Sequence, residues 1–378
     1  MFTRIAFIVA ALCLSGCATE FRGDWRPYVG NDNDLCLQGP YAATPNAKQS
    51  QFFVTSRLPD CRTAEFMLTD QRGDKIRYGR LGADWTNDDA DILDIAFMGH
   101  TAWEAELSKA ARNNKGTVLV YIHGFNNTAY EVAEAAHGIA NVTGYKGPVI
   151  SYHWPSRAQV ISYAVDEANR NWDNLYLTRV LANIAQLRDV KRIILVAHSM
   201  GSRGAIAALN TMDTQHAWLS GKFETIIIAA GDIDRQYFEQ QLRDVVLTRE
   251  KAQQGRHFVA YVSGKDIPVR ISRRLHLYER MGYTGCINAD KLPPCYVEPV
   301  WPAIVDDKGR MRGAETVRGL RIYDTTAIEE SFLGHSDYRC VPVAIETLRE
   351  AIFNPESLRN QSYEVIPLEP DGRDGVCD

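Results

Sequence analysis

The sequence lacks the features that mark several protein classes. No cluster of Lys and Arg dominates it, so it carries no footprint of nucleic-acid binding. No Cys-x-x-Cys pair occurs, which argues against a zinc site and against thioredoxin-like chemistry. Internal repeats and low-complexity tracts are also missing. What is there is ordinary for a folded globular chain: 378 residues, 45% hydrophobic, 24% charged, with a net charge of −5.

The N-terminus has the pattern of an export signal. A basic start, Met1 to Arg4, precedes an apolar run from Ile5 to Leu14. This run is shorter than the roughly 20 residues that a membrane-spanning helix needs, and it fits a secretory signal. The next residues, Leu14-Ser15-Gly16-Cys17, resemble the lipobox of bacterial lipoprotein signals. The resemblance implies cleavage before Cys17 and lipid attachment, such as palmitate, at its thiol.

A plain signal peptide that happens to contain Cys17 is the alternative interpretation. Ala18, rather than Asp, follows the cysteine, which by analogy with lipoprotein sorting favours the outer membrane, facing the periplasm. Six cysteines follow Cys17, and in an exported chain they predict disulfides, with 15 possible connectivities. Pairing nearest neighbours would give Cys36–Cys61, Cys286–Cys295 and Cys340–Cys377.

Strand and helix patterns alternate along most of the chain. The apolar runs are rich in Val and Ile and mostly unalternated, as in strands buried on both faces. The strand candidates are Phe52–Arg57, Lys75–Leu81, Thr117–Ile122, Val149–Tyr152, Arg192–Ala197, Phe223–Ala230, His257–Ser263 and Leu320–Tyr323. The helix candidates are Thr101–Arg112, Ala129–Val142, Asn169–Arg188, Ser202–Leu209, Ile271–Met281 and Val341–Phe353. This alternation predicts an α/β fold with a mostly parallel central sheet and helices on both faces.

The same patterns divide the chain into segments. We expect a signal peptide over 1–16, an irregular tether over 17–50, and N-terminal strands and a helix packed on the core over 51–114. The main α/β core follows over 115–356, and a C-terminal tail over 357–378.

The strongest chemical signal is the sequence Ala197-His198-Ser199-Met200-Gly201. It follows a buried strand and precedes a helix rich in small residues. This is the Gly-x-Ser-x-Gly nucleophile elbow with Ala197 in place of the first glycine. Small residues are needed there because the serine sits on a sharp turn close to the neighbouring strand and helix. An ordinary strand–helix turn with a capping serine is the alternative.

Two backbone N–H groups are candidates for an oxyanion hole. The residue after the nucleophile, Met200, supplies the first. The loop His123-Gly124-Phe125, at the end of the strand Thr117–Ile122, has the position from which the second donor comes, and we assign it to Phe125. His123 is interpreted as structural.

A base and an acid must follow the serine in the order acid, then histidine. His335 lies in a glycine-containing loop after the last predicted strand, where this fold carries its base. His276 falls in a predicted helix and is interpreted as a packing or surface residue. Asp266 follows the strand His257–Ser263 and is the favoured acid. Asp232 and Asp234 follow the preceding strand and remain alternatives.

Several motifs together resemble the alpha/beta hydrolase family of unknown function, DUF900. They are His123-Gly124-Phe125-Asn126-Asn127-Thr128, Trp154-Pro155-Ser156, Ala197 to Gly201, Ala229 to Asp234, Ser263-Gly264-Lys265-Asp266, Gly334-His335-Ser336 and, upstream, Phe53 to Arg57 and Tyr78-Gly79. They run in order over roughly residues 50–340. The resemblance implies the fold and a Ser–Asp–His triad but no substrate.

These observations predict a lipid-anchored serine hydrolase of the cell envelope. Ser199 would attack an acyl ester with His335 as base and Asp266 as its partner. No cofactor and no metal are expected, and we expect a monomer. A peptidase or amidase with the same triad, and a non-catalytic envelope scaffold, are the alternatives. The segment from His153 to Trp172 is long and aromatic, so it could form a cap over the site or simply pack on the scaffold.

Overall fold

The protein is built around one large β-sheet. The computed structural model describes residues 51–60, 68–83, 85, 93–284, 299–305, 309–328, 330–331, 333–359, 361–373, 375 and 377. Its strands are β1 (Gln51–Arg57), β2 (Arg72–Gly82), β3 (Asp94–Met98), β4 (Thr117–Ile122), β5 (Val149–His153), β6 (Arg192–His198), β7 (Phe223–Ala229), β8 (His257–Val262), β9 (Val300–Trp301), β10 (Ile304–Val305), β11 (Met311–Arg312), β12 (Glu315–Thr316), β13 (Leu320–Asp324) and β14 (Glu364–Pro367).

Ten of these strands form the central sheet, in the order β14-β13-β8-β7-β6-β4-β5-β1-β2-β3. From β14 to β1 every neighbouring pair is parallel, and only β2 and β3 join by antiparallel pairing. The inner strands consist of apolar, largely β-branched residues with almost no exposed surface, because helices cover both faces of the sheet.

The helices are α1 (His100–Asn113), α2 (Ala129–Thr143), α3 (Tyr163–Gln186), α4 (Gly201–Gln215), α5 (Ala217–Ser220), α6 (Arg235–Gln241), α7 (Arg249–Gln253), α8 (Ile267–His276) and α9 (Pro342–Phe353). Helices α1, α3 and α4 bury their apolar residues against one face of the sheet. Helices α2 and α9 cover the other face. The predicted fold, a mostly parallel sheet with helices on both faces, is therefore confirmed.

Some elements differ from the sequence predictions. Helix α3 begins at Tyr163, six residues before the predicted start at Asn169. Its hydrophobic pattern is weak because it buries charged residues such as Arg170 and Asp173. Helix α8 begins and ends earlier than the predicted Ile271–Met281, since Asp266 caps its N-terminus and Leu277 ends it in a left-handed conformation.

The flanking segments contribute to the same sheet. Strand β1 pairs with β5, so the segment 51–114 extends the sheet through β1, β2 and β3. Strand β14, within the expected C-terminal tail, pairs in parallel with β13 and forms the other edge. Cys340 and Cys377 are joined by a disulfide, with their Cα atoms 5.1 Å apart.

The signal segment, Cys17, the tether and the other two cysteine pairings lie outside the described residues. Within the described ranges, no helix combines the length and the apolar character that crossing a membrane requires.

Candidate active site

Ser199 lies on a tight turn at the carboxyl end of β6. Its backbone is left-handed, with φ of 49°, a conformation that non-glycine residues adopt rarely. Hydrogen bonds from both sides hold the turn: the Ser199 N–H donates to the Ala229 carbonyl at 2.9 Å, and the Asp232 N–H donates to the Ser199 carbonyl at 3.1 Å. Ser199 is 5% exposed. The turn therefore has the backbone of a nucleophile elbow.

Two glycines let other backbone segments approach this turn. A Cβ on Gly201 would lie 2.4 Å from the His123 carbonyl oxygen, so helix α4 could not start against the end of β4 with any larger residue. A Cβ on Gly124 would lie 2.7 Å from the Ser199 Cβ. The loop after β4 and the elbow are therefore in direct contact.

The backbone N–H groups around Ser199 differ in whether the fold supplies their acceptors. In the loop after β4, the next three N–H groups have acceptors: Asn126 donates to Asp166, Asn127 to Ser156, and Thr128 to Glu131. Among the described residues, the N–H groups of Phe125 and Met200 have no hydrogen-bond acceptor. These two donors flank Ser199 and are available to a ligand oxygen.

Asp266 and His335 are in direct contact. The Asp266 Oδ2 lies 2.7 Å from the His335 Nδ1. Its other oxygen accepts the Val269 N–H at 2.8 Å and so caps helix α8. The Ile267 N–H donates to the Leu333 carbonyl, which ties the start of α8 to the loop that carries His335.

Burial and charge oppose each other in this pair. Burial lowers the pKa of His335, but the Asp266 carboxylate outweighs it and leaves that pKa above its ordinary value of 6.5. Burial also raises the pKa of Asp266, and His335 partly reverses the rise. With the Nδ1–H directed at Asp266, the His335 Nε2 is the nitrogen left to accept a proton.

The ring of His198, next to Ser199, connects the elbow to the His335 loop. Burial, and next to it the charge of His335, holds the pKa of His198 well below 6.5, so the ring is neutral. Its Nε2 lies 3.2 Å from the His335 carbonyl oxygen, and the two rings are 4.6 Å apart. Among the described residues, no hydrogen bond joins the Ser199 hydroxyl to His335 itself; such bonds often form only when substrate is bound.

The alternative acids have other partners. Asp232 accepts hydrogen bonds from Tyr163 at 2.6 Å and from Ser272, and it pairs with Arg203 at 3.0 Å. Burial raises the pKa of Asp232, but Arg203 outweighs it and keeps that pKa below its ordinary value. Asp234 caps α6 by accepting the Tyr237 N–H. Neither carboxylate is hydrogen-bonded to His335.

His276 is also elsewhere. Its Nε2 lies 3.0 Å from a Glu167 oxygen on helix α3, and its Nδ1 lies 2.9 Å from the Ser272 carbonyl oxygen. It therefore joins α8 to α3 at the surface.

A buried arginine that the sequence analysis did not single out supports the oxyanion loop. Arg57, at the end of β1, is 2% exposed and donates to the carbonyls of Trp154 and Asn127, both at 2.9 Å. Burial lowers the pKa of Arg57 to about 10, and nearby Asp166 opposes the change. The sequence signal that could have indicated this role is a charged residue at the end of an apolar strand. Arginine is almost never fully buried unless it is paired.

Asp166 completes this support. Its carboxylate accepts the Ser156 hydroxyl at 2.6 Å and the Arg157 N–H at 2.8 Å, besides the Asn126 N–H. Asn126 itself is left-handed, with φ of 60°. Arg57 and Asp166 thus fix the loop that carries the Phe125 N–H.

The aromatic residues between His153 and Trp172 divide into two that pack on the scaffold and one that reaches the candidate site. Trp154 is buried and stacks on His123 at 4.7 Å, and Trp172 packs on Tyr176, so both belong to the scaffold. Tyr163 contacts the Phe125 ring at 5.2 Å and so reaches the candidate site.

One cluster of possible metal ligands occurs in the described part of the chain, formed by Asp337, Cys340 and Cys377. The two cysteine sulfurs are bonded to each other. They are therefore not thiolates, the form in which cysteine binds metals.

The family comparison agrees with this fold. Residues 100–293 match the family described as alpha/beta hydrolase of unknown function (DUF900). Among solved structures, the chain is similar to a 2,6-dihydroxy-pseudo-oxynicotine hydrolase, with 9% identity and a TM-score of 0.32 over 66% of this chain and 64% of that one. A predicted CIB-like hydrolase from Thermoplasma acidophilum has 13% identity and a TM-score of 0.31 over 75% of this chain and 93% of that one.

A lipase B from Aspergillus fumigatus has 10% identity and a TM-score of 0.26 over 40% of this chain and 38% of that one. The chain thus spans less than two thirds of the length of the nicotine-derivative hydrolase and of the lipase. No curated protein matches it. Since the family match covers more than half of the chain and the sheet has the expected topology, the protein belongs to the alpha/beta hydrolase family of unknown function, DUF900.

Proposed function

We propose that the protein is a serine hydrolase that cleaves carboxylic esters, with Ser199 as nucleophile, His335 as base and Asp266 as its partner. The observation that carries the proposal is the 2.7 Å contact between Asp266 and the His335 Nδ1, beside an elbow whose serine is held left-handed. If Asp266 served only to cap α8, one of its carboxylate oxygens would be enough. The contact of the other oxygen with His335 is not needed for that structural role.

The reaction would proceed in two steps. The Ser199 oxygen attacks the ester carbonyl while the His335 Nε2 takes its proton, and the imidazolium is stabilised by Asp266. The resulting oxyanion accepts hydrogen bonds from the backbone N–H groups of Phe125 and Met200. Collapse expels the alcohol, which takes the proton from His335 and leaves an acyl-Ser199. Water then attacks this ester, again losing its proton to His335. When this second intermediate collapses, His335 returns the proton to the Ser199 oxygen, and the carboxylic acid and the free serine are released.

The proposal has one general support and one that is specific to esters. The family is one of hydrolases, which supports hydrolysis in general. The Gly124-Phe125 oxyanion loop resembles the type found in many lipases, which act on acyl esters. An amide with the same acyl group serves as the comparison substrate for the peptidase alternative.

We further propose that Cys17 carries lipid and holds the enzyme on the envelope membrane, in the outer membrane facing the periplasm. The support is the spacing of Leu14-Ser15-Gly16-Cys17 behind a short apolar run. Anchoring would leave the hydrolase domain, which begins at β1, on a tether of about thirty residues.

Ser199→Ala should abolish hydrolysis and leave the fold intact. Loss of the nucleophile costs on the order of 10⁶ in kcat in a serine protease. A fluorophosphonate probe should label the wild-type chain at Ser199 and leave the variant unlabelled. Ser202→Ala, which loses only a hydroxyl bonded to the Ser199 carbonyl, is the matched control and should still be labelled. Labelling of Ser199→Ala, or retained activity, would exclude this nucleophile.

The activity should fall on the acid side as His335 becomes protonated. Because the Asp266 carboxylate holds the pKa of His335 above 6.5, the acid limb of kcat/KM should lie above that pH. Asp266→Asn should lower kcat by about 10⁴, as for the corresponding change in a serine protease. It should also move the acid limb to lower pH, since burial alone lowers the pKa of His335. Asp234→Asn is the control and should leave the pH profile of kcat/KM unchanged. If the acid limb does not move in Asp266→Asn, the pairing of Asp266 with His335 is contradicted.

Arg57→Lys should impair the oxyanion loop without unfolding the chain. Lysine keeps the charge opposite Asp166 but cannot reach both carbonyls as the planar guanidinium does. We expect kcat to fall by about ten- to a hundredfold, less than the ~10²–10³ seen on losing an oxyanion donor, with KM little changed. A role in stability alone predicts a lower melting temperature with unchanged kcat, which would refute the positioning role.

Cys17→Ser should release the protein from the membrane fraction or block its maturation. Each buried CH₂ contributes about 0.8 kcal/mol, so several acyl chains hold a protein firmly on a bilayer. Fractionation of cells that express either chain measures the effect. Unchanged membrane partitioning of a correctly cleaved variant would contradict the lipid anchor.

A further inference from the structure

Large apolar side chains lie exposed on two neighbouring segments beside the candidate active site. The first is the turn before α3, where Val160 and Ile161 are 75% and 82% exposed. The second is α8 and the residues that follow it. We call the set the apolar rim; its members are Val160, Ile161, Ile271, Leu275, Leu277 and Tyr278.

The two segments are in contact with each other. The Tyr163 hydroxyl of α3 lies 2.9 Å from the Ser272 hydroxyl of α8, and the rings of Tyr163 and His276 are 5.8 Å apart. His276 also pairs with Glu167 across the same junction. The two segments that carry the rim are therefore packed against each other.

This surface borders the candidate catalytic groups. Helix α8 begins at its cap Asp266, which contacts His335. Tyr163, at the start of α3, contacts the ring of Phe125, whose N–H is the candidate oxyanion donor. A substrate reaching Ser199 between these groups would pass the rim.

The polar residues of α8 carry positive charge. Arg270 and Arg274 form no ion pair or hydrogen bond through their side chains within the described ranges, whereas Arg273 pairs with Glu279 at 2.6 Å. The nearby Glu167 is already paired with Arg203 and His276. A helix with exposed Ile and Leu beside unpaired arginines has the composition of a segment that lies in a lipid interface.

We propose that the apolar rim docks onto a lipid bilayer with anionic headgroups, and that the site takes its ester from that surface. Ile271 and Leu275 lie four residues apart on α8, so their side chains point the same way into the acyl boundary, and the exposed Leu277 and Tyr278 follow directly after the helix. Arg270 and Arg274 then meet the headgroup phosphates. The choice of substrate rests on the proposed esterase activity, whereas the docking does not.

A photo-crosslinking experiment tests the docking by itself. The full chain carrying Ser199→Ala is incorporated into vesicles of phosphatidylglycerol and phosphatidylcholine, so that no turnover is needed. Leu275→p-benzoylphenylalanine should be captured by lipid on illumination. Trp218→p-benzoylphenylalanine is the matched control, because Trp218 is 73% exposed but precedes β7, at the amino ends of the parallel strands, whereas α8 follows β8 at their carboxyl ends.

Equal lipid capture at both positions, or capture of Leu275→p-benzoylphenylalanine by its own chain or a second copy, would overturn the proposal. The charge is tested in the same way. Arg270→Gln with Arg274→Gln should reduce lipid capture on phosphatidylglycerol vesicles, by about fivefold for each arginine. If lipid capture by this double variant is not reduced, the preference for anionic headgroups is refuted.

Kinetics test the choice of substrate. Ile271→Ser with Leu275→Ser should leave hydrolysis of a soluble short-chain ester within about twofold of wild type. It should slow hydrolysis of a long-chain ester embedded in vesicles by more than about tenfold, since two apolar side chains no longer enter the bilayer. Val305→Ser with Met311→Ser, on an exposed pair of short strands, is the control and should change neither rate.

The outcomes separate the two proposals. Lipid capture at position 275 without any ester hydrolysis by the wild-type chain would retain the docking surface and refute the esterase. Suppose instead that the wild-type chain hydrolyses the soluble ester, but the rim variant and the Val305/Met311 control variant are slowed equally, or not at all, on the vesicle-embedded ester. That result would retain the esterase and refute the docking.

Discussion

The left-handed turn at Ser199 is the constraint on which the rest of the site depends. A non-glycine residue in this conformation costs on the order of 1–3 kcal/mol, so the surrounding structure must hold it. Strand β7 does so through the Ala229 carbonyl, and the Asp232 N–H holds the other side. The close approach of β4 and α4 requires glycine at position 201. Two further left-handed residues, Asn126 and Ala230, lie in the loops that adjoin this turn.

Buried charges then orient the groups around this turn. Asp266 has two partners, one on each oxygen: the start of α8 and the ring of His335. Helix α8 therefore fixes the position of Asp266. The loop that carries His335 in turn fixes the start of α8, through the bond from the Ile267 N–H to the Leu333 carbonyl. Arg57 and Asp166 do the same for the oxyanion loop from the other side of the site. Each of these charges is buried at a cost in hydration, and each is accepted because its hydrogen bonds are made within the fold.

The inner strands were predictable because their burial on both faces leaves a continuous apolar run in the sequence. Strand β4 was located to the residue, and β6, β7 and β8 to within one at an end. Helix α3 was placed too late since it buries Asp166, Arg170 and Asp173 in polar contacts, which erase the apolar stripe. Strand β14 was missed because it is a short edge strand with half-exposed side chains, and its pairing with β13 is a tertiary contact.

The sequence by itself determined the order of strands and helices, the family, and the small residues around Ser199, because these depend on local propensity and on steric limits within a few positions. It favoured Asp266 as the acid, from its place after β8, but left Asp232 and Asp234 open as alternatives. Only the tertiary structure decided that a carboxylate of Asp266 meets His335 while Asp232 meets Arg203 and Tyr163. The reason is that residues separated by 69 positions meet through the packing of α8 against a distant loop, and no local pattern records that distance.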